Sequence, residues 1–142
     1  ELSGLSLFWL DAVGYLLSLS GDWERGPDIL RKAVELNPFP RRACYGALWL
    51  DGLMRDDPAA ALTAARDYAP ESYFCSPLME AVALVASERA NEATTAVERL
   101  LELKPDFSER GHWLITRYVK PPEMVEMIER SLAEAGVSLG AG

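Results

Sequence analysis

The sequence has few of the residues that usually build reactive or metal-binding sites. It contains one histidine and two cysteines among 142 residues. A single histidine excludes a two-histidine zinc site within one chain. Cys44 and Cys75 lie far apart and outside any C-x-x-C motif, so they indicate neither a disulfide framework nor a zinc site. The H-E-x-x-H, G-x-x-x-x-G-K-[ST] and G-x-G-x-x-G motifs are also missing. We therefore expect free, partly buried thiols and no cofactor or metal.

Basic charge is also scarce, with 14 Lys and Arg against 22 Asp and Glu and a net charge of −8. Phosphate binding requires clustered basic residues, and the only adjacent pair is Arg41-Arg42 at a predicted helix start. The most apolar stretch, 2–19, is interrupted by Asp11 and by small or polar residues, so it is a poor membrane span. We expect no nucleic-acid or membrane partner and a cytoplasmic location.

The composition is that of a folded chain, with 49% hydrophobic and 25% charged residues. A chain of this length usually forms one domain, so we predict a single domain over 1–142. Because it opens with Glu1 instead of Met, we expect a fragment of a longer protein or a processed product.

A helix ending followed by proline occurs twice. Residues 34–38 read Val-Glu-Leu-Asn-Pro and residues 101–105 read Leu-Glu-Leu-Lys-Pro, which places the prolines two periods of about 34 residues apart. A middle copy begins at Asp57-Pro58, where Asp57 is a predicted N-cap and Pro58 the first helical residue. The spacing therefore predicts three helical hairpins.

The first copy has small and large residues at the positions where two antiparallel helices must approach closely. These residues are Leu10, Val13, Gly14, Leu17, Gly21, Gly26, Leu30, Ala33 and Pro38. With Trp23 in the aromatic slot after the turn, the copy resembles a tetratricopeptide repeat, or TPR. In the later copies Asp56 and Glu88 replace the glycine expected at the turn.

The resemblance implies an all-α, right-handed α-solenoid of about three TPR-like hairpins over 7–40, 41–73 and 74–107. A C-terminal capping pair of helices follows over 108–136. Its last helix has an apolar stripe that includes Met124, Ile128, Leu132 and Ala135, with Glu123, Glu126, Glu129 and Arg130 mostly outward. Gly136 ends this helix, and the tail from Val137 is expected to fray.

From Asn37 onward the chain is also similar to the C-terminal TPR region of bacterial adenylate/guanylate cyclase-like multidomain signalling proteins. The similarity rests on Asn37-Pro38, the segment 57–62, the segment 101–107 and the ending 132–137. It implies a regulatory or scaffolding appendage to an effector domain. No residue of these segments is catalytic in such proteins, so it implies no cyclase activity here.

Aromatic residues indicate where a partner binds. The chain has four Trp and five Tyr residues, more than helix packing alone requires. In TPR stacks the first helix of each hairpin lines the concave face, here near 5–20, 42–54 and 75–87. The candidate groove residues are Asp11, Tyr15, Tyr45, Trp49 and Met79, although core packing is the favoured interpretation for each residue taken singly. The Lys and Asn pattern that holds a peptide carboxylate in some chaperone-binding TPRs is missing, which argues against an acidic C-terminal peptide.

No set of residues predicts catalysis. His112 and Glu109 are one turn apart but lack a nucleophile, and Glu123, Glu126 and Glu129 fan across a helix instead of converging. We do not expect an enzyme. The sequence favours a scaffold that binds a protein or peptide, including another domain of the parent chain. The alternative is a homo-oligomerisation module of a bacterial signalling protein, for example a homodimer.

Overall fold

A computed structural model of the chain describes residues 14–15, 17–18, 21–37, 42–68 and 71–140. These residues contain helices and no β-strand, which confirms the all-α prediction. Residues 14–15 and 17–18 are helical, and seven complete helices follow. They are α1 (Arg25–Leu36), α2 (Arg42–Met54), α3 (Pro58–Asp67), α4 (Cys75–Ala86), α5 (Ala90–Leu103), α6 (Phe107–Tyr118) and α7 (Pro122–Glu134). None of the helices in these ranges combines the length and apolar character needed to cross a bilayer.

The helix starts recur at a nearly constant spacing. The helices α2, α4 and α6 begin at residues 42, 75 and 107, and α3, α5 and α7 begin at residues 58, 90 and 122. Each interval is therefore 32 or 33 residues, close to the period of about 34 residues that the sequence predicts. As predicted, Asp57 caps α3, because its side chain accepts a hydrogen bond of 3.1 Å from the amide of Ala60.

Four turns share one geometry. The angle φ is positive at Gly21, with a value of 95°, and at the second residue after α2, α4 and α7, with values of 55° at Asp56, 59° at Glu88 and 109° at Gly136. In each case the amide of the next residue donates to the carbonyl five positions before it, at 2.8 to 2.9 Å. This is the Schellman pattern of a left-handed C-terminal cap. The turns at Asp56 and Glu88 thus keep the geometry that the repeat pattern assigns to glycine.

The first compact unit of the chain is Glu1–Tyr68. In it α1 packs against α2, and α2 packs against α3. Leu30, Cys44 and Ala47 form a buried core cluster, at 0%, 0% and 2% exposure. Small residues allow these helices to approach: a Cβ atom at Gly52 would lie 2.7 Å from the amide nitrogen of Ala61. Gly52 and Ala61 are therefore a site of close packing between α2 and α3.

The second compact unit is Ala69–Gly142. Here α4 packs against α5 and α7, and α6 packs against α7. The predicted apolar stripe of α7 is buried, since Met124, Ile128 and Leu132 are at most 1% exposed. The rings of Phe74 and Phe107 lie 6.2 Å apart and join the start of α4 to the start of α6.

The prediction that the tail frays from Val137 is wrong for residues 137–140. Val137 is 1% exposed, and its amide donates to the carbonyl of Leu132. The amide of Gly140 donates to the carbonyl of Ser108 at 2.9 Å. The positive φ of Gly136 reverses the chain, so that Val137 packs inside the unit instead of continuing into solvent.

Candidate interaction surfaces

Four of the five predicted groove residues fall in the part of the chain that the structure describes, and Asp11 lies outside it. Tyr15 is half-buried and packs against the cluster that contains Leu30. Tyr45, on α2, is also half-buried. Burial raises the pKa of the Tyr45 phenol above its ordinary value, and the nearby charge of Asp67 raises it further.

Trp49 and Met79 lie inside their units. Trp49, on α2, and Met79, on α4, are each 4% exposed. A side chain this deeply buried offers little area to a partner. Of the candidates in the described ranges, Tyr15 and Tyr45 therefore present more surface than the other two. The groove role of all five residues stays a prediction.

The most buried charged group described is Asp51, whose side chain is 2% exposed on α2. One carboxylate oxygen accepts a hydrogen bond of 2.7 Å from Nε of Arg55, and the other accepts one from Arg31 of α1. Arg55 also donates to the carbonyl of Trp23 at 3.1 Å. The pKa of Arg55 is raised, chiefly by its hydrogen bond to Asp51. This network links α1 to α2 and pairs a carboxylate that would otherwise be costly to bury.

The partner of His112 is not Glu109, its neighbour one turn earlier on the same helix, but Glu129. Nδ1 of His112 lies 2.6 Å from a carboxylate oxygen of Glu129, on the next helix. The two residues line a shallow groove of about 240 Å³ between α6 and α7, together with Lys120 and Glu126. Both His112 and Glu129 are accessible to water, so the pair resembles a surface contact between helices more than a reactive centre.

The exposed face of α6 has an aromatic ring between two cations. Trp113 is 47% exposed. The guanidinium carbons of Arg110 and Arg117 lie 4.9 and 4.8 Å from the centroid of its ring. Both distances are within the range of cation–π attraction. Arg110, Trp113 and Arg117 are not among the groove residues predicted from the sequence, although their spacing of three and four positions places them on one helix face.

Further large apolar side chains are exposed on the described helices and turns. These are Leu36 at 43%, Met54 at 44%, Tyr73 at 53%, Leu103 at 41% and Tyr118 at 59%. Leu36, Met54 and Leu103 are the last residues of α1, α2 and α5. Single exposed apolar residues are ordinary in proteins, so only a site that combines them with other features indicates binding.

Comparison of the chain with protein-family models, with curated proteins and with solved structures found no match. Within the described ranges, no group of three or more His, Cys, Asp or Glu side chains is arranged to hold a metal ion.

Proposed function

We propose that the chain is a non-catalytic protein–protein interaction module built from TPR-like helical hairpins. It presents the first helices of its hairpins to a peptide, a helix or a neighbouring domain. The resemblance to the C-terminal region of cyclase-like signalling proteins favours a scaffolding or regulatory role. The solenoid arrangement and the concave groove are parts of this proposal.

The observation that carries the proposal is the recurrence of the hairpin. Helix starts repeat every 32 or 33 residues, and the turns at Asp56 and Glu88 have the same left-handed geometry as Gly21. Proteins built from such units expose long helix faces, and they characteristically bind other proteins through them. The half-exposed ring of Trp113 lies on α6, the first helix of the capping pair, and we include this helix in the proposed binding surface.

Self-association is the second candidate. It is favoured by the exposed apolar side chains of Leu36 and Met54 at the ends of α1 and α2. A symmetric dimer would bury such residues against a second copy. Sedimentation over a wide range of protein concentrations tests this alternative. A dimer that persists on dilution would place homo-oligomerisation above partner binding.

Site-specific photo-crosslinking in the cells that make the protein tests partner binding. A photoreactive phenylalanine derivative replaces Tyr45 on α2 or Trp113 on α6, both on first helices. Matched controls place it at Thr63 on α3 and Glu98 on α5, which are exposed residues of second helices. We expect one protein to be captured from the first-helix positions only, and the purified partner to bind the unlabelled chain. Adducts of equal yield at all four positions, or at none, would contradict the proposal.

A further inference from the structure

The segment 110–120 is basic in a chain that is otherwise acidic. It contains Arg110, Arg117 and Lys120 and no Asp or Glu, whereas the whole chain has a net charge of −8. Asp106 and Glu109 precede it at the start of α6, which confines the positive charge to the middle and end of the helix. Lys120 and His112 line the groove that also contains Glu126 and Glu129, so the positive charge available to an anionic partner is that of Arg110 and Arg117.

The two arginines differ in how far they are neutralised. Arg110 has a long ion pair of 3.4 Å with Asp106. The Asp106 carboxylate also contacts Lys104 at 2.8 Å, and mainly this hydrogen bond lowers the pKa of Asp106. In the described part of the chain no carboxylate pairs with Arg117, whose guanidinium lies against the ring of Trp113. Arg117 therefore keeps its hydrogen-bond donors for a ligand.

The spacing of the cations limits the form of that ligand. Each guanidinium carbon is within 4.9 Å of the Trp113 centroid, so the two carbons are at most about 9.7 Å apart. A polyproline II chain rises about 3.1 Å per residue with three residues per turn. Its side chains at positions i and i+3 lie on one face, about 9.3 Å apart. This repeat is close to the largest separation that the two arginines can have, so each carboxylate can reach one arginine while the residues between them lie against the exposed part of the indole.

We propose that the face formed by Arg110, Trp113 and Arg117 binds an extended acidic peptide segment of a partner, with Asp or Glu at every third residue and proline or aliphatic residues between. This inference rests on the proposed role in protein binding. The arginines hold the carboxylates by charge-assisted hydrogen bonds, and the exposed indole packs against the intervening pyrrolidine or alkyl groups. Such internal carboxylates differ from the C-terminal peptide that the sequence of the first hairpin argues against.

Fluorescence anisotropy with the whole chain and a fluorescein-labelled (Glu-Pro-Pro)4 peptide tests the inference. At about 0.1 M salt the Debye length is about 10 Å, so the distant acidic residues of the chain are screened while direct contacts are not. We expect the peptide to bind and the matched (Gln-Pro-Pro)4 and (Lys-Pro-Pro)4 peptides to bind at least about tenfold more weakly. The double substitution Arg110→Gln/Arg117→Gln should also weaken binding about tenfold or more, and Trp113→Leu about fivefold.

Arg130→Gln is the matched control. Arg130 is an exposed arginine on α7, outside the proposed site, so its replacement removes one positive charge and is compared with Arg117→Gln alone. Circular dichroism and melting curves of each variant establish that the fold is kept. Equal binding by wild type and the double variant, or no binding at all, would overturn the inference. Tighter binding of a single-stranded oligonucleotide of the same charge would overturn it in favour of phosphate recognition.

The peptide-binding experiment can fail independently of the crosslinking experiment that tests the proposed function. Crosslinks from Tyr45 without peptide binding at α6 would overturn the acidic-peptide inference and support a partner on α2. If the peptide bound in a way that depends on Arg117 but no first helix gave a crosslink, the proposed function would be contradicted. The acidic-peptide site on α6 would still be supported.

Discussion

The backbone of Gly26 passes so close to Ser18 that a Cβ atom at Gly26 would lie 2.5 Å from the amide nitrogen of Ser18. The obstruction is backbone, which cannot move aside as a flexible side chain can. Ser18 is itself buried, and its hydroxyl donates to the carbonyl of Gly14 at 2.9 Å. The crossing of these two helical segments therefore requires glycine at position 26.

Gly26→Ala should destabilise the first unit by about 1–3 kcal/mol, because the added methyl group must push the helices apart. Gly46→Ala, in α2, is the control, since a Cβ atom there meets no other atom within 4 Å. That variant should gain about 0.5–1 kcal/mol from the higher helix propensity of alanine. Urea unfolding of both variants measures the difference. Equal effects would contradict the close approach.

Leu30→Ala and Trp49→Ala should both lower stability strongly, because their side chains are 0% and 4% exposed. We expect losses of about 2–5 kcal/mol for Leu30→Ala and about 3–5 kcal/mol for Trp49→Ala. Tyr15→Ala should cost less, since Tyr15 is only half-buried, and should weaken partner binding if it lies in the groove. Melting curves and affinity for the crosslinked partner separate these effects. Mild loss of stability in Trp49→Ala would contradict its burial.

Glu88→Gly should stabilise the second unit, by up to about 1 kcal/mol. Glu88 has a φ of 59°, and a left-handed conformation costs a residue with a Cβ atom about 1–2 kcal/mol. Part of this gain is lost to the greater entropy of glycine in the unfolded chain. Glu98→Gly, at an exposed position inside α5, should instead destabilise by about 1 kcal/mol. Thermal unfolding of the two variants should therefore shift in opposite directions.

The elements that depend on neighbouring residues could be predicted from the sequence. The N-cap of Asp57, the start of α3 at Pro58 and the buried stripe from Met124 to Leu132 all follow from local spacing. The turn at Glu88 was harder to predict, because glutamate rarely adopts a positive φ. Its geometry is imposed by the two packed helices that it joins, and their packing is visible only in the fold.

Contacts between distant residues were not predictable in the same way. Asp51 is visible in the sequence as one charge in the apolar helix 44–54, but its partner Arg31 lies 20 residues away. The partner of His112 is Glu129, 17 residues away, and not the nearer Glu109. In contrast, Arg110, Trp113 and Arg117 follow helical spacing, so this face could have been recognised from the sequence alone.

The pH dependence of stability should report the burial of Tyr45. Because burial raises its pKa above the ordinary value of 10.0, the folded state holds the phenolic proton more tightly than the unfolded state does. The resulting stability is present below pH 10 and is lost as the pH rises through the pKa of the folded state. Wild type should therefore lose unfolding free energy relative to Tyr45→Phe above about pH 10. A difference between the two proteins that stays constant up to about pH 11 would contradict this assignment.

Asp51→Asn should destabilise the first unit even though it preserves the shape of the side chain. The buried carboxylate accepts hydrogen bonds from Arg31 and Arg55, and an amide offers one acceptor oxygen in place of two. We expect a loss of about 1–3 kcal/mol, below the cost of a fully buried pair, because both arginines are about half exposed and stay solvated.

Asp28→Asn is the matched control for Asp51→Asn, since Asp28 contacts the same Arg31 at 2.7 Å with a carboxylate that is 73% exposed. An exposed ion pair of this kind contributes less than about 1 kcal/mol, and salt screens it. Urea unfolding at low and high salt should therefore show a large, salt-resistant loss for Asp51→Asn and a small, salt-sensitive one for Asp28→Asn. If the two variants lost stability equally and responded alike to salt, the Asp51 carboxylate would be solvated, and the link that it forms between α1 and α2 would not hold.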